Sequence, residues 1–324
     1  MGKKIQIGIV GYGNLGQSVE RVVNQWEDLE LFGIFTRRNP KDLITKNSVY
    51  SYNTVIKYKD DIDVLILCGG SKSDIPEQGP HLLSNFNTVD VYDNHRKLFN
   101  YYQQMDHIGK KSEKSSIIAA GWDPGLFSWI RLLHESIQAE GKTYTFWGTG
   151  VSQGHSDALR RIDGVQWAVQ YTVPKEDLMD QVRHKKTMNI DRIRGHKRIC
   201  YIVLEEGANF QKIQEEIRNM EDYFKGYDVE IHEISKEEYL KNHQGLNHGG
   251  YVFRQGITGI NHSLMEYHLD LDSNPDFTAS VALASARACY QLYQKGKYGA
   301  HTVFEVPTIY FYPGSLEEAI EKYL

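Results

Sequence analysis

Gly11-Tyr12-Gly13-Asn14-Leu15-Gly16 places three glycines in a G-x-G-x-x-G pattern. Alone the pattern says little; its neighbours give it meaning. Ile5 to Val10 before it reads as a strand. Leu15 to Trp26 after it carries Leu15, Val19, Val22, Val23 and Trp26 on one helical stripe. A strand that turns into a helix through such glycines is the setting in which the pattern binds a dinucleotide. Gly11 permits the tight turn, Gly13 lets backbone approach a pyrophosphate, and Gly16 lets the helix close on the sheet. The helix N-terminus offers free N–H groups and a positive dipole to the anion. Tyr12, Asn14 and Leu15 share the loop and are read with it as cofactor-binding.

A second strand, Leu31 to Phe35, ends where an adenosine ribose would lie. An NAD site usually carries Asp or Glu there. Thr36-Arg37-Arg38 stands there instead. Two guanidiniums and a hydroxyl suit a 2′-phosphate, so the expected cofactor is NADP(H).

Ligands of open α/β sheets bind outside the carboxyl ends of the strands. The third strand, Ile62 to Leu67, runs into Cys68-Gly69-Gly70-Ser71. The fourth, Thr88 to Tyr92, ends in Val91 and Tyr92 and runs into Asp93-Asn94-His95. The fifth, Ser116 to Ala120, runs into Gly121-Trp122-Asp123-Pro124-Gly125. Each end offers glycine or a hydrogen-bonding side chain. These stretches, with Ala120, are expected to line the cofactor. Asp93 and Asp123 read as acceptors for something cationic.

Further along, Phe146-Trp147-Gly148-Thr149-Gly150-Val151-Ser152-Gln153-Gly154-His155-Ser156-Asp157 is rich in glycine, hydroxyls and amides. Gln170-Tyr171-Thr172, His196-Lys197-Arg198 and Asn247-His248-Gly249-Gly250 follow. Spacing alone does not bring these together. His155 and Asp157 lack a third ligand at metal spacing, so no metal site is expected.

The elements that must position these groups follow from composition and period. The 324 residues carry a net charge of −5, with 40% hydrophobic and 24% charged residues. That is an ordinary globular balance with length for two domains. Mild acidity argues against nucleic acid as partner. One basic run, Arg183 to Arg198, holds seven Lys or Arg against Asp191. No apolar run approaches the roughly 18–20 residues of a membrane span, and Met1 to Gln6 lacks a secretory apolar core. Cys68, Cys200 and Cys289 sit far apart in apolar segments, which fits reduced thiols in the cytoplasm.

Strand–helix alternation over the first ~120 residues predicts a Rossmann-type doubly wound parallel sheet. Strands over 143–147, 199–204 and 229–234, a helix over 210–224 and another over about 279–294 capped by Thr278 predict an α+β second domain. The dinucleotide domain is expected over 1–122, with 300–324 packing back on it. The substrate-binding and dimerisation domain is expected over 123–299.

At these residues the sequence resembles the meso-diaminopimelate D-dehydrogenase family of NADP-dependent amino acid dehydrogenases. The carriers are Gly-Tyr-Gly-Asn-Leu-Gly at 11–16, Ile-Phe-Thr-Arg-Arg at 34–38, Asp-Ile-Pro-Glu-Gln at 74–78 and Tyr-Asp-Asn-His-Arg at 92–96. They continue with Gly-Trp-Asp-Pro-Gly at 121–125, Ser-Gln-Gly-His-Ser-Asp-Ala-Leu-Arg-Arg at 152–161 and Asn-Pro-Asp-Phe-Thr-Ala-Ser at 274–280. The first motif is generic; the later ones are specific in combination.

The resemblance implies a homodimer that oxidatively deaminates the D-centre of meso-2,6-diaminopimelate, reversibly, to L-2-amino-6-oxopimelate, ammonia and NADPH, in lysine biosynthesis. It implies catalytic and substrate-binding roles for Asp93 and Asp123 beside the reacting centre. Trp147, Gln153 and Gly154 would form the pocket wall. Thr172, Arg198, His248 and Asn274 would hold the distal L-centre. Gly69 and Thr149 depart from relatives in ways that bear on substrate range. Two other readings stand beside this one. One is a related NADP oxidoreductase for another D-amino acid, an aldehyde or a sugar; the other is a non-catalytic NADPH sensor. Paired aspartates with Arg198 suit a molecule zwitterionic at both ends better than a sugar.

Overall fold

The computed structural model describes residues 3–221 and 223–324. The chain opens with strand β1 (Ile5–Val10), helix α1 (Asn14–Val23), β2 (Leu29–Thr36), β3 (Val49–Ser51), β4 (Val64–Leu67), α2 (Asp74–Leu83), β5 (Asn87–Asp90), α3 (Leu98–Ser112), β6 (Ser115–Ile117) and α4 (Leu126–Ile137). It continues with β7 (Glu140–Trp147), β8 (Gly150–Val151), α5 (Gln153–Leu159), β9 (Val165–Pro174), α6 (Glu176–Arg183), β10 (His196–Leu204), α7 (Phe210–Asn219), β11 (Asp228–Glu233), α8 (Lys236–Asn242), β12 (His248–Thr258) and β13 (Asn261–Leu271). It closes with α9 (Asn274–Gln294), β14 (Gly299–His301) and α10 (Leu316–Tyr323).

Two compact units result. One is Met1–Trp129 with Pro275–Leu324; the other is Ile130–Asn274. The first holds a seven-stranded sheet in the order β14-β6-β5-β4-β1-β2-β3, parallel at every pairing. β1 and β4 are apolar and buried along their length, as strands covered on both faces must be. The chain winds outward from β1 to β2 and β3, then returns to β4 and winds the other way. The β1–β4 pair is therefore the switch point, where the two connections diverge and leave a crevice at the carboxyl ends.

One face of that sheet packs on α1 and α9 through Ile7, Ile9, Val19, Val23, Ala282, Leu283 and Ala286. Alanines on α9 let its backbone sit close. This explains why the long helix falls with the first unit, at Pro275, whereas the sequence reading placed residues up to 299 in the second. Its start also lies earlier than Ala279. Asn274-Pro275 looks like a turn, yet proline fits the first turn of a helix, where its missing N–H costs nothing.

The second unit has two sheets. β11-β10-β9-β8 is mixed: β10 pairs with β9 antiparallel and with β11 in parallel, α7 making the crossover. β13-β12-β7 is antiparallel. α7 stops at Asn219, short of the predicted Phe224. Met220 turns to an extended conformation, and Phe224 still fills the core by bonding its N–H back to the Met220 carbonyl at 2.9 Å. β9 and the β12–β13 hairpin have no counterpart in the sequence reading.

Candidate active site

The glycine loop has the geometry its sequence requires. Gly11 has φ +91°, and a Cβ there would lie 3.3 Å from the Cys68 carbonyl carbon. A Cβ on Gly16 would meet the Gly11 oxygen at 2.2 Å, so only glycine lets α1 close on the turn. A Cβ on Gly13 would meet nothing within 4 Å, which leaves open space over the helix N-terminus. No side chain caps that terminus and its first turn holds no acidic residue. Unclaimed N–H groups facing open space fit a pyrophosphate.

Thr36 is buried at the end of β2, and its hydroxyl accepts the Arg38 N–H at 3.1 Å. The Arg38 guanidinium donates to the Tyr12 carbonyl, tying the ribose end of the site to the glycine loop. The Tyr12 hydroxyl donates to Glu20, which also accepts from Thr45 and Asn47. Arg37 is exposed and paired with Asp74 at 2.7 Å. Asp74 also accepts the Gly70 N–H at 3.0 Å. It fills the space beside Gly69, where a Cβ would come within 2.6 Å of its own. Thr36, Arg37 and Arg38 thus lie together at one strand end with two guanidiniums, which fits a 2′-phosphate.

Asp93 is exposed, and its N–H is held by the Ser71 hydroxyl at 3.1 Å. Asp123 is half-buried on a tight loop. Gly121 donates to the Pro124 carbonyl, and Gly125, at φ +130°, comes so close to Gly121 that no side chain fits. Trp122 beside it is buried, edge-on to Phe127 at 5.0 Å. Val91 and Tyr92 lie just past β5, which ends at Asp90 rather than Tyr92, and Ala120 lies past β6, which ends at Ile117 rather than Ala120. One carboxylate there has no sequence signal: Asp90 is fully buried at the end of β5.

In the second unit the register brings distant residues together. Arg198 on β10 lies opposite Thr172 on β9, which in turn lies opposite Gly150 on β8. Arg198 donates to the Thr172 hydroxyl. Gly150 presses on His248, where a Cβ would stand 2.4 Å from the His248 Cα. Arg198 is 2% exposed, its guanidinium lies over the Tyr227 ring at 4.3 Å, and its Nε has no hydrogen-bond partner. Among the described residues no carboxylate pairs with it. Burial pushes its pKa down, as expected of a cation kept from water without a counter-ion.

The Trp147 N–H donates to His196 Nε2 at 2.8 Å, so His196 carries its proton on Nδ1, which faces the Arg192 carbonyl at 2.8 Å. Gln153 and Gly154 are exposed at the start of α5, and a Cβ on Gly154 would touch nothing. Asn274 opens α9, its N–H on the Leu246 carbonyl at 2.8 Å. His155 bonds Ser152 at 2.5 Å and Asp157 pairs with Arg160. Among the described residues no three His, Cys, Asp or Glu side chains could hold a metal ion.

The chain is 50% identical over 322 residues to a meso-diaminopimelate D-dehydrogenase from Acetivibrio thermocellus, covering 98% of this chain and 96% of that one. The chain belongs to the meso-diaminopimelate D-dehydrogenase family. The model of the diaminopimelic acid dehydrogenase C-terminal domain matches residues 121–273. The fold superposes on a Corynebacterium glutamicum member of the family in complex with DAP, with a TM-score of 0.94, 44% identity and full coverage of both chains. An engineered D-amino acid dehydrogenase bound to NADP+ matches at a TM-score of 0.89 and 42% identity, over 99% of this chain and 100% of that one. Within the family fold, sequence reasoning did not find Asp74, Asp90 or His196 as organisers of the site.

Proposed function

We infer that this chain catalyses the NADP-dependent, reversible oxidative deamination of the D-centre of meso-2,6-diaminopimelate, giving L-2-amino-6-oxopimelate and ammonia in lysine biosynthesis. The observation that carries this reading is Arg198, a buried guanidinium bonded to Thr172 with no carboxylate paired to it among the described residues. A substrate carboxylate would supply the missing counter-ion by paired charged hydrogen bonds. Thr172, His248 and Asn274 would add polar contacts for the distal L-centre, with Trp147, Gln153 and Gly154 as pocket wall.

Asp93 and Asp123 would accept the N–H groups of the reacting amine and orient it. The 11–16 loop with Thr36, Arg37 and Arg38 would hold NADP+, which would supply the hydride acceptor for the D-carbon. Cys68 to Ser71, Val91 to Asp93 and Ala120 to Gly125 would line the same cofactor. The amine must first lose a proton, because only its lone pair can form the C=N bond as hydride leaves. Water then adds to that carbon and ammonia departs, leaving the ketone. Asp93 or Asp123 would hold the water on its way in. The two ends of the substrate are constitutionally identical, so the Arg198 end decides which carbon reacts.

The reading extends to a cytoplasmic homodimer that binds neither membrane nor nucleic acid. Three free cysteines support a reducing compartment, and the net charge of −5 disfavours polyanions. Among the described residues no helix is long and apolar enough to cross a membrane. Exposed Leu132, Leu133 and Ile137 on α4 and Ile257 and Ile260 on the β12–β13 hairpin are apolar surface that a second copy would cover. Sedimentation at twice the chain mass is expected; a monomer at micromolar concentration would refute the dimer.

The deciding assay follows NADP reduction at about pH 9–10, where the amine is largely free, with meso-diaminopimelate and with its L,L isomer. Turnover with the first alone is expected. Turnover with both, or with neither, would overturn the assignment.

A further inference from the structure

Asp90 ends β5 with none of its surface exposed, yet its carboxylate is fully occupied. Oδ1 accepts the Tyr92 N–H at 3.0 Å and the Ala119 N–H at 3.1 Å. Oδ2 accepts the Tyr101 hydroxyl at 2.8 Å. Its carbonyl takes the Ala120 N–H at 2.8 Å. Two neighbouring strand ends therefore meet on one side chain: the first leads in three residues to Asp93, the second in four to Asp123. Ala119 sits at φ +54°, a conformation that alanine seldom adopts, and its N–H is one of those Asp90 holds.

We propose that Asp90 is a positioning residue, which sets the two loops bearing Asp93 and Asp123 at one fixed spacing by accepting an amide from each. This rests on the dehydrogenase reading above. Burial raises the Asp90 pKa to about 6, so at the alkaline pH of turnover the group is a carboxylate facing three donors. Asparagine would keep Oδ1 as acceptor for both amides and turn its amide toward the Tyr101 oxygen. Alanine would leave both backbone N–H groups buried and unpaired, and the loops free to shift.

The test compares Asp90→Asn and Asp90→Ala in the full chain, after the wild type has been shown to turn over. NADPH binding by fluorescence counts folded molecules in each. The expected result for Asp90→Ala is a kcat lower on the order of 100-fold, with NADPH affinity falling at least tenfold less than that, because the phosphates are held at Gly11–Gly16 and Arg37–Arg38 although the freed loops line the rest of the cofactor. Asp90→Asn is expected to recover most of that rate. A kcat in Asp90→Ala equal to wild type would overturn the proposal. So would Asp90→Asn failing as badly as Asp90→Ala, or rate and NADPH affinity falling by the same factor. Should Asp90→Ala not fold, native-state hydrogen exchange of the wild type decides without activity. The Tyr92 and Ala119 amides are expected among the slowest in their unit, and fast exchange would refute the role. A wild type that binds NADPH but turns over nothing would instead sink the dehydrogenase reading, and the exchange result would still stand.

Discussion

The guanidinium of Arg37 and the carboxylate of Asp74 meet at 2.7 Å, joining the residue after β2 to the first residue of α2. The other Asp74 oxygen takes the Gly70 N–H. Arg37 is thereby held at the carboxyl edge of the sheet rather than left to wander in solvent.

This pair is exposed, so its contribution to stability is at most about 1 kcal/mol. A charged hydrogen bond from Arg37 to a 2′-phosphate contributes roughly 1.5–3 kcal/mol, equivalent to ~10–100-fold in affinity. Arg37→Ala is expected to weaken NADP by that factor while leaving NAD kinetics and the melting temperature close to wild type. Unchanged NADP kinetics would remove Arg37 from the cofactor site.

The rate of oxidation is expected to rise from neutral to about pH 10 as the substrate amine loses its proton. Asp93 and Asp123 beside it would favour the ammonium form by charge, so free amine is scarce until the solution is alkaline. Initial rates at saturating NADP check this, and a rate flat over that range would count against it.

Two histidines of the second unit are expected to lower stability in acid. His196 is 1% exposed and pushed down to about 4; His155, half-buried, is pushed down to about 3. Desolvation is the larger cause in both. Unfolding lets each regain its ordinary value near 6.5, so the unfolded chain binds the extra proton. Their stabilisation is present above that value and is lost as pH falls toward 4. Asp90, raised to about 6 by burial, works the other way: its contribution is present below about 4 and lost as pH rises through about 6. Two groups outweigh one, and the melting temperature is expected to drop between pH 7 and 4.5. His196→Gln should flatten that slope, measured by calorimetry; an unchanged slope would clear His196 of the effect.

How far the sequence could carry the reading depended on whether a feature was local. β1, α1 and Gly11–Gly16 were legible because apolar period and glycine spacing act over a few residues. β9 carries a legible signal too, the alternation Val165, Trp167, Val169, Tyr171, Val173, but the sequence reading takes Gln170-Tyr171-Thr172 as a candidate polar stretch and draws no strand through it. β13 is largely exposed, and β12, though mostly buried, opens on His248-Gly249-Gly250 and carries Arg254 and Gln255 inside, so its hydrophobic patterning is faint. Asp90 resembles any strand residue until Tyr92, Tyr101 and Ala119 are folded around it. The pairing of Arg198 with Thr172 depends on a register between strands that spacing does not encode.

Arg198 separates function from stability most cleanly. Its guanidinium is buried, bonded to Thr172 and stacked over Tyr227, with Nε unpartnered. A buried cation lacking a counter-ion destabilises a fold, and replacing it by an apolar side chain of similar length is often neutral or stabilising. Arg198→Met is therefore expected to keep or raise the melting temperature. Losing a charged, forked grip on a substrate carboxylate should instead lower kcat/KM for meso-diaminopimelate by roughly 100-fold, or about 3 kcal/mol of transition-state binding. NADP affinity should stay put, because the phosphates are held in the other unit. Steady-state kinetics, cofactor titration and calorimetry on the one variant check all three. Activity lost in step with melting temperature would mean that Arg198 supports the sheet rather than the substrate.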